Sequence, residues 1–222
     1  DGQTEPAIIT CDGFLINGNR RRMVLELLGK EDPSKYKTMK VIILPGKNDE
    51  GGPPTIKEIE LLENRYQLQE TGKSEYTGLD RALSITRKIA CGIPLEEQLQ
   101  DDPACSGMVP NDKEFKNMVK SYQEKYLLPL ARADDYLEFF GRPGYYESIK
   151  DRWQAFVDYS NFYSRSLESK SWRVKARVKD HDIGTAQAAC FDIIRKRSVK
   201  GRSSKLHQMI RDMPRLLSNL DA

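Results

Sequence analysis

The chain has 222 residues, 38% hydrophobic and 31% charged, which is enough apolar material for a buried core and too much for an intrinsically disordered chain. No apolar run approaches the roughly 20 residues that cross a bilayer, and the polar start Asp1-Gly2-Gln3-Thr4 lacks a signal-peptide core, so no membrane partner is expected and the cytoplasm is the expected compartment. The net charge of +3 is unevenly spread: Arg165 to Arg215 holds fourteen Lys/Arg against five Asp/Glu, and the rest of the chain holds 22 against 28.

In chain order, Pro6-Ala7-Ile8-Ile9-Thr10 and Phe14-Leu15-Ile16 read as two strands joined by an Asp12-Gly13 hairpin turn. Asn17-Gly18-Asn19 then gives way to a helix with Met23, Val24, Leu27 and Leu28 on one face and Gly29 as its stop. Lys40-Val41-Ile42-Ile43-Leu44 is a buried-strand candidate closed by Pro45-Gly46, and residues 46–54 read as a loop. Thr55 and Glu58 form a capping box that opens a helix with Ile56, Ile59 and Leu62 on its apolar side, and Glu63-Asn64-Arg65 in its later turns. Residues 69–78 are turn-rich, and a helix runs from Leu79 to about Ala90.

Beyond Gly92 every expected element is helical. Pro94 starts a short helix, and residues 101–110 form a loop. Asn111 and Glu114 cap a helix that carries Phe115, Met118, Val119 and Tyr122 on one side, and Pro129 is expected to break or kink that run. Asp134–Phe140 continues as helix, Gly141-Arg142-Pro143-Gly144 is a stop, and three further helices are expected near 145–166, 182–198 and 204–219. The predicted fold class is α+β, with a small mixed domain over 1–91 and an all-α domain over 92–222.

The cysteines at 11, 91, 105 and 190 contain no Cys-x-x-Cys pair, and His181 and His207 are the only histidines. That excludes a zinc ribbon, a dense disulfide framework and a histidine-rich metal site, and reads as reduced, partly buried thiols.

Two stretches carry chemistry. At Gly18-Asn19-Arg20-Arg21 a strand runs into a helix start beside arginines, where free N–H groups, the helix dipole and guanidinium forks all suit a phosphate. An asparagine cap followed by surface arginines accounts for the same residues without a ligand. The second stretch is Leu61-Leu62-Glu63-Asn64-Arg65-Tyr66-Gln67, readable as an ordinary exposed pair on a helix or as oxygen ligands beside phosphate-bound Mg²⁺.

The order strand, Asp-Gly hairpin, strand, Gly-Asn-Arg-Arg, apolar helix, followed by Leu-Leu-Glu-Asn, resembles the ParB/sulfiredoxin superfamily over residues 4–90. The resemblance implies a ParB-like nucleotide-binding domain, with Gly18, Asn19, Arg20, Arg21 and Asn64 on the phosphates. It also implies that Glu63 and Asn64 hold Mg²⁺, with Glu63 as the residue that acts in any slow hydrolysis of CTP or ATP. Asn19 stands where partition proteins carry Glu, and no cysteine lies between Gly18 and Arg22, which argues against sulfinic-acid reductase chemistry.

The resemblance further implies a helix-turn-helix after the nucleotide domain, DNA as partner, and a homodimer. The helix after Asn111 is its candidate recognition helix, with Lys113, Lys116 and Lys120 toward phosphate. The basic C-terminal segment adds Arg173, Lys175, Arg177 and Lys179, then Arg195, Lys196, Arg197, Lys200, Arg202 and Lys205. Tyr159, Phe162, Tyr163 and Trp172 near it suit either base stacking or core packing. The expected function is DNA binding switched by a nucleoside triphosphate. The alternatives are an enzyme of the same fold (nuclease or phosphotransferase) and an adaptor with an inactive pocket.

Overall fold

The computed structural model describes residues 3, 5–68, 77–100, 102, 105, 107–110, 112–197 and 205–218. It is a mixed α+β structure in which helix predominates. The chain divides into two compact units: one made of 1–74 and 87–110, the other of 75–86 and 111–222.

The first unit contains a three-stranded sheet of order β2-β1-β3. Strands β1 (Ala7–Ile9) and β2 (Leu15–Asn17) pair antiparallel around the expected hairpin, where Gly13 takes a φ of 89°. Its ends are closed by Thr10 N–H donating to the Phe14 carbonyl at 2.9 Å and Gly13 N–H to that of Thr10 at 2.9 Å. Strand β3 (Val41–Ile43) pairs parallel with β1, Ile8 opposite Ile42. Its position at the sheet's end corrects the buried-strand expectation: Val41, Ile42 and Ile43 are all exposed, and the buried sheet residues are Ala7 and Ile8.

Helix α1 (Asn19–Glu31) starts where expected but runs through Gly29. Gly29 lies beside the backbone of α2 (Pro33–Tyr36), where a Cβ would make an ordinary contact, 3.4 Å from the Tyr36 carbonyl oxygen. The apolar stripe of α1 is not core: Met23, Val24 and Leu27 are exposed, and the helix has no buried residue. Amphipathic spacing fixes which residues share a face, not whether anything covers that face.

Helix α3 (Ile56–Leu68) begins at the expected capping box. Thr55 N–H donates to Glu58 Oε2 at 2.7 Å and the Thr55 hydroxyl to the same oxygen at 2.8 Å, which holds the Glu58 carboxyl below its usual range, and Glu58 N–H donates back to Thr55 Oγ1 at 3.3 Å. Ile56 is exposed, whereas Ile59 and Leu62 are half-buried. Helix α4 (Gly78–Ala90) gives residues to both units, and α5 (Leu95–Gln100) belongs to the first.

The second unit is helical. Helix α6 (Lys113–Tyr122) has Asp112 at its cap position, and Asn111 lies outside the described residues. Pro129 does not break the run. A π-helical turn, Gln123–Leu127, carries the chain from α6 into α7 (Leu128–Phe139), and Pro129 sits in that helix's first turn, where its missing N–H is harmless. A 3₁₀ segment (Tyr146–Arg152) leads into α8 (Trp153–Phe162) and a second π turn (Tyr163–Leu167). A short helix absent from the sequence reading, α9 (Lys170–Lys175), precedes α10 (Asp182–Lys196) and α11 (Leu206–Leu217).

Helix α8 is central, packed against α7 and α11. Tyr136 meets Phe156 and Phe191 edge-on at 5.3 and 5.5 Å, and Tyr159 meets Phe191 at 5.5 Å. Each such fully buried aromatic contributes about 2 kcal/mol by area alone. Tyr159 and Phe162 are thereby core residues, so neither offers a face for base stacking.

Candidate functional site

The turn between β2 and α1 is built by its neighbours. Gly18 has a φ of 111°, a left-handed conformation, and a Cβ at this position would lie 2.5 Å from that of Ala7. Glycine is therefore required both for the turn and for the close approach to β1. Having no side chain, Gly18 leaves the helix start uncapped, and the first intrahelical bond is Arg22 N–H to the Gly18 carbonyl at 2.9 Å. The amides of Asn19, Arg20 and Arg21 therefore have no acceptor within α1, and the dipole leaves partial positive charge at that end.

The three arginines have different surroundings. Arg21 donates to the Glu5 carbonyl, tying down the segment before β1, and Arg22 pairs with Glu26 at 2.7 Å. Arg20 is exposed and has no hydrogen bond or ion pair among the described residues. Asn19 is exposed too. In the preceding strand the Asn17 side-chain amide nitrogen is buried with no hydrogen-bond partner. An unmet buried donor costs about 1–3 kcal/mol, which marks Asn17 as a residue the sequence reading passed over.

Helix α3 packs on β2, the strand that enters this turn. Its Glu63 is not a free carboxylate. Arg87 donates to Glu63 Oε2 at 2.7 Å and to Glu60 Oε2 at 3.2 Å, and all three residues belong to the first unit. The Asn64 side chain lies outside the described residues. Among the described residues no group of three His, Cys, Asp or Glu could hold a metal.

The candidate DNA-contact residues of the second unit also differ among themselves. Lys113, Lys116 and Lys120 lie on the solvent side of α6, opposite the buried Phe115 and Val119. Lys113 and Lys116 have no acidic partner among the described residues, and Lys120 sits 3.8 Å from Glu124. Arg195 and Lys196 share Asp192 at 3.0 and 3.4 Å, and Arg197 pairs with Asp151 at 2.5 Å. Asp192 is correspondingly held below the usual carboxylate range, by its hydrogen bond from Arg195 first. Lys200 and Arg202 lie outside the described residues. The two expected helix-turn-helix members, α5 and α6, belong to different units.

Comparison of the chain with protein-family models, with curated proteins and with solved structures finds no match. No helix among the described residues is long and apolar enough to cross a membrane.

Proposed function

We propose that the first unit binds the phosphates of a nucleoside triphosphate at the start of α1, and that this binding switches the association of a ParB-like protein with DNA. The observation that carries the reading is the Gly18 turn: a helix start with no side-chain cap, a glycine forced by Ala7, and beside it Arg20, exposed and unpartnered among the described residues. Backbone amides with no acceptor in α1 and a guanidinium unpaired among the described residues suit a phosphate. Arg21 is spent on the Glu5 carbonyl and serves to position the turn. The resemblance to ParB-type proteins supplies the choice of CTP or ATP, the magnesium that would accompany the phosphates, the homodimer and the slow hydrolysis. DNA is favoured as partner by the cationic excess of the second unit.

The test is isothermal titration and thermal unfolding with CTP, ATP, GTP and UTP, each with and without Mg²⁺. A nucleotide at about 100 times its dissociation constant stabilises the fold by roughly 2.7 kcal/mol. The expected result is a shift with one nucleotide that Arg20→Ala removes while basal DNA binding survives. No shift with any nucleotide overturns the reading.

One observation favours a second reading, an adaptor whose pocket holds no nucleotide. Arg87 occupies Glu63, the residue that would act on the phosphates. Intact DNA binding together with no nucleotide response would select it. Multiple turnover on a nucleotide or metal-dependent DNA cutting would instead select an enzyme.

A further inference from the structure

Helix α9 and the turn after it were legible in the sequence only as part of a basic stretch. The structure makes them a shaped surface. Ser169 caps α9 by accepting from Trp172 N–H at 3.3 Å, and Trp172 packs edge-on against the buried Phe162 at 6.5 Å. The helix then closes with two backbone bonds, Ala176 N–H to the Trp172 carbonyl at 2.8 Å and Val178 N–H to that of Arg173 at 2.9 Å. Beyond them Arg173 reaches forward to Asp180, and Asp182 accepts from Lys179 N–H at 2.9 Å. Residues 169–182 are thus held by caps and clips at both ends.

Both acids in this stretch, Asp180 and Asp182, are used to fasten it, and Glu168, just before it, is exposed. Arg165, Lys170, Lys175, Arg177 and Lys179 are all exposed, and none has an acidic partner among the described residues. Arg177 also sits at the left-handed helix terminus, φ 57°, a position that suits glycine and costs another residue about 1 kcal/mol. By contrast, Arg195, Lys196 and Arg197 are each engaged by a carboxylate.

We propose that α9 and its following turn, through Arg165, Lys170, Lys175, Arg177 and Lys179, form the main phosphate-backbone contact of the second unit with double-stranded DNA, in preference to the cations at the end of α10. This rests on the reading of the second unit as DNA-associating and assigns the surface that does it. Free cations release counterions from a polyanion, whereas cations already neutralised by neighbouring carboxylates release fewer. Duplex DNA is favoured over an anionic bilayer because Val174 is the one large apolar side chain exposed on α9, and interfacial helices need a whole apolar face.

The test uses the full chain and a fluorescent DNA duplex, with anisotropy followed between about 50 and 200 mM salt. The triple variant K175Q/R177G/K179Q is compared with K30Q/K37Q/K47Q, which removes the same charge from exposed positions of the first unit. Expected are at least a tenfold loss of affinity, to order of magnitude, and a salt slope shallower by about 2.7 for the first variant only. Arg177→Gly alone should raise the melting temperature while weakening binding, which a merely misfolded variant cannot do. If the wild type binds duplex and the first variant keeps its affinity and slope, or if both triple variants weaken alike, this surface is not the contact and the DNA reading stands. If the wild type binds no duplex, or binds only phosphatidylglycerol vesicles, the DNA reading fails and this assignment with it.

Discussion

Arg87 stands 2.7 Å from Glu63 and 3.2 Å from Glu60, one guanidinium joining two acids three residues apart on α3. Its removal takes away the guanidinium that joins two carboxylates on adjoining turns. Arg87→Ala is expected to destabilise the first unit by about 1 kcal/mol, the pair being partly exposed. Glu63→Gln is expected to cost less, because Glu60 keeps the arginine. Urea unfolding of the two variants checks the order. In the nucleotide reading, Glu63→Gln also separates two roles: turnover alone falls if Glu63 acts in hydrolysis only, and Mg²⁺-dependent nucleotide affinity falls with it if Glu63 holds the metal.

Gly18→Ala combines a left-handed φ with a Cβ 2.5 Å from that of Ala7. Neither strain relaxes without moving β1. The expected loss is roughly 2–3 kcal/mol, with a lower urea midpoint and no nucleotide-induced shift. Gly13→Ala, where φ is 89° but a Cβ would meet nothing within 4 Å, should lose less than Gly18→Ala. The pair of midpoints isolates the contribution of the contact from that of the backbone.

Arg211 donates to Asp158 Oδ1 at 2.9 Å, and the other Asp158 oxygen is buried with no hydrogen-bond partner. This pair joins α8 to α11. Arg211→Ala strands a carboxylate whose side chain is 8% exposed, and about 2–3 kcal/mol of stability should go with it. Asp158→Asn should be milder, since it removes the charge along with the need for a counter-ion. Thermal melts of both variants read the difference.

Burial pushes the Cys190 thiol up from its ordinary value of 9.0 to about 12. A raised value in the folded chain means that the neutral thiol is the form the fold favours. The contribution is complete below about pH 9 and is lost as the pH climbs toward 12. At neutral pH a thiol reagent should label the exposed Cys11 quickly and Cys190 only at the rate of unfolding. Prompt labelling of Cys190 in the native chain would contradict the packing around α10.

Local chemistry was readable from the sequence wherever both partners sit within one turn. The Asp12-Gly13 hairpin and the Thr55–Glu58 box are of this kind, and the structure has both. What escaped depends on distance along the chain. Glu63 looks like a free ligand until Arg87, 24 residues later, is found on it. Arg197 looks like a phosphate contact until Asp151, from the 3₁₀ segment, is seen beside it; Asp192, by contrast, lies within one turn of Arg195 and Lys196, a pairing that was readable and was passed over. Pro129 reads as a break because a regular helix cannot absorb it; the π turn that does absorb it leaves no mark in the sequence. For Met23, Val24 and Leu27 the helical spacing was legible and the absence of cover was not.

Strand β3 has a consequence for how the protein behaves in concentrated solution. Val41, Ile42 and Ile43 are β-branched, exposed, and hydrogen-bonded to β1 along one side only among the described residues. Such an edge templates the strand of another chain. Here Lys40 stands immediately before it and Pro45 shortly after, a charge and a residue without an N–H, so the ladder on offer is very short. The bracketing lets the strand remain apolar without seeding fibrous growth, and replacing Lys40 and Pro45 by valine would lengthen the template at both ends.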